Sequence, residues 1–252
     1  MEIWRTLLEG LEAILRFFHG LAEPLFGAAA WGWAIVLLTL TVRVLLLPLA
    51  VKQTNSMRAM QKLQPEMKRI QAKYKVDRSL MRTNPEKYQQ QRQKQQEAMM
   101  ALYKEHNVNP AAGCLPLLLQ MPILFALFSL LRSDTLVPEL ATSGWYGIDS
   151  LQSLASAAGP MAWVLIVLMG ITTFLSQRQT MAANPGQQMQ QQRVMLYVMP
   201  VMLVVFSINL PVGVLIYWVT QNLWTMGQQW VMFRNIESKE AADTAGRKPK
   251  KA

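Results

Sequence analysis

One residue in this sequence stands out chemically: Arg43, a cation inside the apolar run from about Gly27 to Val51. Nine residues separate it from Lys52, which at ~1.5 Å per helical residue puts it roughly 13 Å in from the charged end of that run. An arginine at a membrane helix centre costs on the order of 2.5–3.5 kcal/mol. An ion pair would offset the cost, yet the apolar runs of this chain contain no Asp, Glu or His. Two readings remain. The side chain snorkels toward the headgroups, or it faces a water-filled pocket between helices. The depth favours the pocket. Thr39 lies one turn earlier on the same face. Gln120, Gln177, Tyr217, Trp218 and Asn222 punctuate the other apolar runs. Taken singly, each has an ordinary role in interhelical hydrogen bonding or interfacial anchoring. Grouped with an unpaired arginine, they favour a hydrated groove.

Bond-making chemistry finds no support. The two histidines, His19 and His106, fall outside the apolar runs, and no Gly-x-Ser-x-Gly occurs. An intramembrane protease would need a nucleophile with a base in reach. A secondary transporter would want ionisable coupling residues at midplane and internal repeats; the runs offer Arg43 and no repeat. There is no Gly-x-x-x-x-Gly-Lys phosphate loop. The single cysteine, Cys114, excludes an intramolecular disulfide and reads as a small buried side chain. No catalytic residue, metal or cofactor is expected, and the chain is not read as an enzyme.

The elements that must position these residues follow from hydropathy. Of 252 residues, 52% are hydrophobic and 16% charged, against about 25% charged in soluble domains. A membrane helix needs roughly 20 mostly apolar residues. The expected spans are 27–51, 111–131, 160–180, 194–209 and 212–233, the last two being a hairpin broken by Asn209, Pro211 and Gly213. Within 1–26, Ile3, Trp4, Leu7, Leu8, Leu11, Ile14, Leu15 and Phe18 share one helix face, the pattern of an amphipathic interfacial helix. The fold class is thus an all-α membrane protein: five transmembrane helices, an N-terminal amphipathic interfacial helix and a polar helical hairpin.

That hairpin occupies 52–110. Met57, Met60, Leu63, Met67, Ile70 and Tyr74 form a stripe at spacings of three and four. Thr83-Asn84-Pro85 is a turn signal, and a Gln-rich helix follows to about His106. The stripe reads as the seam of two antiparallel helices. The segment carries 13 basic residues against five acidic, whereas the 132–159 loop carries one against three and the tail from 234 six against three. Basic loops face the cytoplasm. The hairpin, the 181–193 loop and the 234–252 tail are therefore expected inside, and the 132–159 loop and the N-terminus outside. The net charge of +10 is absorbed by this topology, so no DNA partner is expected.

The order of these elements resembles the YidC-type membrane protein insertases. The resemblance is carried by the Arg43-bearing first span, the basic hairpin, the segment from Asn109 to Ile123 (NPAAGCLPLLLQMPI) and the last span from Pro211 to Trp218 with Asn222 and Gln228. It covers about residues 20 to 235. It implies five helices around a groove open to cytoplasm and lipid and closed to the outside, in a bacterial plasma membrane. Arg43 would receive polar, often acidic, parts of an incoming chain, with Thr39 and Trp218 matching other groove positions. The implied partners are nascent membrane proteins and the lipid bilayer, with the ribosome and the Sec translocon beside them. The implied activity is insertion and folding without ATP hydrolysis; the alternatives are a secondary transporter and a pure assembly chaperone for a separate translocon. The extra N-terminal span and large periplasmic domain of many Gram-negative members, and the lipidated Cys of many Gram-positive ones, have no counterpart in the sequence.

The topology predicts a labelling pattern. In a Cys114→Ser background, a cysteine at Ser143 reacts with an impermeant thiol reagent from outside intact cells, and one at Ser79 reacts only after the membrane is opened. The reverse pattern would overturn the assignment.

Overall fold

The computed structural model describes residues 2–77, 79–109, 115–133, 136–182 and 189–246. Among them every regular element is a helix, and one isolated bridge pairs Leu154 with Pro211. Residues Pro110 to Cys114 of the Asn109–Ile123 segment, part of the 181–193 loop and the Arg247–Lys251 tail lie outside the described residues. The chain divides into two compact units. One gathers Met1–Leu45, Ile123–Thr180 and Val194–Ala252, and the other Leu46–Pro122 with Met181–Arg193.

The first unit begins with α1 (Glu2–Phe26) and α2 (Ala30–Leu45). Together they form an apolar stretch long enough to cross a bilayer as one helix, yet they do not run on. Gly27 adopts φ +50, a left-handed conformation that costs glycine no Cβ clash. His19 and Trp31 stack at 4.0 Å and Phe26 and Trp33 at 4.7 Å between ring centroids. Twelve residues of straight helix would separate the first pair by ~18 Å, so the chain folds back at Gly27. Leu11, Leu15 and Ala22 are the buried face of α1, while Ile3, Phe17, Leu21 and Leu25 stay exposed.

The rest of the first unit comes from α7 (Leu115–Leu131) after Pro122, α8 (Pro160–Ala182) up to Thr180, α9 (Met189–Ser207) from Val194, and α10 (Val212–Gly246). Leu15, Ile35, Leu127, Leu130, Leu151, Met169 and Leu215 meet in one cluster, each essentially inaccessible. The outer faces are just as apolar. On α8 they expose Val164, Val167, Leu168, Ile171 and Leu175, and on α9 Val198, Val201, Met202, Val205 and Phe206. Helices apolar on every side belong in lipid or in a large core. In lipid no hydrophobic force draws helices together, and close packing with polar contacts must do so. Gly32 meets that need: a Cβ there would collide with the Trp145 indole.

The segment after α7 is tied down by polar groups. Arg16 donates from Nη1 to Glu139 at 2.8 Å, from Nη2 to the Leu136 carbonyl at 2.9 Å and from Nε to Glu12 at 2.9 Å. The Arg16 guanidinium holds the Glu139 carboxyl below the usual carboxylate range. A depressed carboxyl adds stability that is present at neutral pH and lost as pH falls through its lowered value. Further on, the amides of Ala155 and Ser156 donate to the Leu210 and Ile208 carbonyls, and those of Val212 and Gly213 to Ser153 and Leu151, each at 3.0 Å. The 151–156 segment therefore closes over the α9–α10 turn, where backbone groups would otherwise be left unpaired.

The second unit holds α3 (Leu47–Lys62), α4 (Gln64–Lys73), α5 (Leu80–Thr83) and α6 (Pro85–Glu105). Asn84 caps α6 by accepting from the Lys87 amide at 3.1 Å. Helices α4 and α6 run antiparallel: Glu66 faces His106, Met67 faces Tyr103, and the Tyr74 carbonyl accepts from Gln95. Leu63, Met67, Leu102 and Tyr103 are buried between them, flanked by Met60, Ile70 and Met99. The Met57 side chain lies outside the described ones.

Gly32→Val is expected to destabilise the first unit by about 1–3 kcal/mol, because Trp145 must move. Gly20→Ala, whose Cβ meets nothing within 4 Å, is expected to be neutral or slightly stabilising. Thermal midpoints in detergent check this, and equal midpoints for both variants would refute the packing argument.

Candidate functional site

Arg43 occupies the last turn of α2, two residues before the helix ends at Leu45. Regular helix stops there and resumes at Leu47. The cause is Pro48, which has no N–H to offer the Val44 carbonyl and whose ring crowds it. The helix C-terminus carries partial negative charge from unpaired carbonyls, which favours a cation in the last turn. Part of the cost of placing an arginine in an apolar stretch is thereby offset by its own helix.

The side chain is half-buried, and its Nε donates to Oε1 of Gln221 on α10 at 3.0 Å. Among the described residues no carboxylate pairs with it. Tyr217, one turn before Gln221, is buried and within electrostatic reach of the guanidinium. Thr39 is buried one turn before Arg43, with its hydroxyl donating to the Ile35 carbonyl at 2.7 Å. Trp218 is half-buried and packs on the edge of the apolar cluster. Arg43 of α2 thus meets Gln221 of α10, with Tyr217 of α10 within electrostatic reach.

Asn222 turns the other way. Its Nδ2 donates to Thr173 Oγ1 at 2.8 Å and Thr172 Oγ1 at 3.2 Å, both on α8. Lower on the same pair of helices, Gln229 donates to Thr180 at 2.8 Å and Gln179 to the Met226 carbonyl at 3.3 Å. Gln177 is half-buried on α8, and among the described residues its buried Oε1 meets no hydrogen-bond donor. Asn222 is therefore a clamp between α8 and α10. Gln120, half-buried and with a partner of its own, belongs to the second unit.

The sequence reading missed Gln221, Thr172 and Thr173. Gln221 carries no charge, so balancing Arg43 against ionisable groups passes over it. The signal was present: Gln221 lies one turn after Tyr217 and beside Asn222.

Among the described residues the groups that Arg43 meets are an amide and a phenol. His19 stacks on Trp31, and His106 faces Glu66 within the second unit. Arginine carries five N–H donors, and Gln221 takes one of them. Among the described residues the four on Nη1 and Nη2 meet no hydrogen-bond acceptor. A planar fork of this kind matches a carboxylate bidentately.

A family model described as 60Kd inner membrane protein matches residues 21–85 and 81–240. The chain is 40% identical to "Membrane protein insertase YidC" of Streptomyces avermitilis, in an alignment covering 86% of this chain and 55% of that one. It is 40% identical to "Membrane protein insertase YidC 2" of Bacillus anthracis, covering 82% and 73%. With "Membrane protein insertase MisCA" of Bacillus subtilis the identity is 36%, covering 80% and 70%. A solved structure titled "Active YidC insertase crystal structure with the first transmembrane domain resolved" is similar with TM-score 0.58 and 33% identity, over 89% of this chain and 45% of that one. The chain thus spans about half the length of the Streptomyces relative and of the solved chain. Its match to the family model runs over most of its sequence, and it belongs to the 60Kd inner membrane protein family, that of the YidC-type insertases.

Proposed function

We propose that this protein inserts hydrophobic segments of other proteins into the lipid bilayer, through a hydrated groove in which Arg43 is the receiving charge. The reading rests above all on one contact: a half-buried guanidinium held by a neutral amide, with its charge uncancelled by any described carboxylate. Five helices cross the membrane in this reading, with α1 on its outer surface, the 132–159 loop outside and both the α4–α6 hairpin and the C-terminus in the cytoplasm.

The mechanism needs no bond cleavage and no nucleotide. A nascent segment is handed over at the cytoplasmic hairpin. Its translocating polar flank enters beside Arg43, so it crosses less hydrocarbon than the full ~30 Å. An acidic residue in that flank gains charge-assisted hydrogen bonds from the Nη groups. The apolar part then moves sideways into lipid, driven by removal of its surface from water. The membrane potential helps, because carrying a negative charge outward yields about 2.3 kcal/mol per 100 mV. The 151–156 segment, bonded to the α9–α10 turn, would close the outer end.

Arg43→Ala is expected to lose most insertion of clients with acidic translocated flanks, and Arg43→Lys to retain much of it, since lysine keeps a cation but lacks the planar fork. Both variants should fold, because no described acidic partner is left unpaired. Protease protection of clients in membrane vesicles measures this. Equal insertion of acidic-flanked and neutral-flanked clients by Arg43→Ala and the parent would leave snorkelling as the explanation.

The hairpin makes a separate prediction. Deleting Lys62 to Gln95 is expected to impair client insertion while the first unit stays folded, measured by insertion yield and by detergent thermal stability. Full insertion by that deletion would remove the hairpin from the handover.

A further inference from the structure

An arginine fork binds a carboxylate well only when it is held in one direction. A long, rotamer-rich cation in an apolar setting tends to swing toward the headgroups, and a swinging fork loses much of the gain from bidentate binding. Gln221 supplies the restraint. Its Oε1 accepts from Arg43 Nε at 3.0 Å. Because arginine only donates, the contact fixes which end of the Gln221 amide faces it. A carboxylate at this position would also hold the guanidinium, but would cancel the charge. An amide holds it and leaves the charge intact.

Gln221 is itself held in place by its neighbours. Asn222, the next residue, is clamped to Thr172 and Thr173 on α8. Tyr217, one turn earlier, is buried, and the Thr225 hydroxyl, one turn later, donates to the Gln221 backbone carbonyl at 2.9 Å. The α8 contact sets the rotation of α10, and that rotation turns Gln221 toward α2. Among the described residues the Gln221 Nε2 group has no hydrogen-bond partner. It offers an additional neutral N–H donor on the same amide.

We infer that Gln221 is a positioning residue for Arg43: its amide oxygen pins the guanidinium through Nε, so that the Nη edge is presented, still charged, to an incoming carboxylate. The inference rests on the reading of Arg43 as the receiving charge. It assigns to Gln221 the selectivity for acidic over neutral flanks.

The test uses the full chain in membrane vesicles, with two clients differing only in whether the translocated flank carries Asp or Asn. The readout is the ratio of the two insertion yields, which a general folding defect would not move. Gln221→Leu removes the acceptor at similar size, and Gln221→Glu keeps an acceptor but neutralises the cation. A hydrogen bond to a charged group is worth roughly tenfold, so each is expected to lower the acidic-to-neutral ratio about tenfold. Where Gln221→Leu fails to accumulate, Gln221→Glu alone decides. In an Arg43→Ala background, Gln221→Leu should lower the ratio no further, because Gln221 acts through Arg43. If Arg43→Ala shifts the ratio while neither Gln221 variant does, the positioning role is wrong and the reading of Arg43 stands. If Arg43→Ala leaves the ratio unchanged, both fall together.

Discussion

The hydrogen bond from Arg43 to Gln221 is the contact on which the rest of this account depends. Deep in an apolar protein, a cation is tolerated by pairing, by hydration or by dipoles. Here the last turn of α2 supplies the dipole and Gln221 supplies one acceptor. Neither neutralises the charge. A salt bridge would have made the same helix pair more self-contained, and would have left nothing for another molecule to bind. The neutral partner keeps the arginine in place and leaves it able to interact.

Around that contact the helices are joined by small residues and polar side chains, as lipid requires. Gly32 lets Trp145 lie against α2. The Thr172–Thr173–Asn222 and Thr180–Gln229 bonds join α8 to α10. The backbone bonds between 151–156 and 208–213 hold the α9–α10 turn. Arg16, by contrast, directs its guanidinium to Glu12, Glu139 and the Leu136 carbonyl. Two arginines of one unit thus differ in their partners: Arg16 meets two carboxylates and a carbonyl, and Arg43 one neutral acceptor among the described residues.

Much of this was legible in the sequence, for reasons that differ by element. Apolar runs announce helices because every backbone group in lipid must be bonded internally, and α8 and α9 overlap the apolar runs at 160–180 and 194–209. Arg43 was legible because a lone charge in such a run is conspicuous. The end of α2 at Leu45 was readable from Pro48, yet a window of apolarity passes over a proline. Gln221 was not legible as a partner, since it lies 178 positions away and amides carry no charge to be balanced. Polarity grouped Asn222 with Arg43, and its side chain bonds to Thr172 and Thr173 on α8. Periodicity tells which face a residue occupies on its own helix. It does not tell which neighbouring helix that face meets.

The central claim is that this chain itself carries segments into the bilayer. The most direct measurement is insertion of a small client with one acidic translocated flank into liposomes containing only the purified protein, without nucleotide or another translocon. The account predicts a client fragment protected from external protease at a yield well above that of protein-free liposomes. Yields equal to those of protein-free liposomes would contradict it.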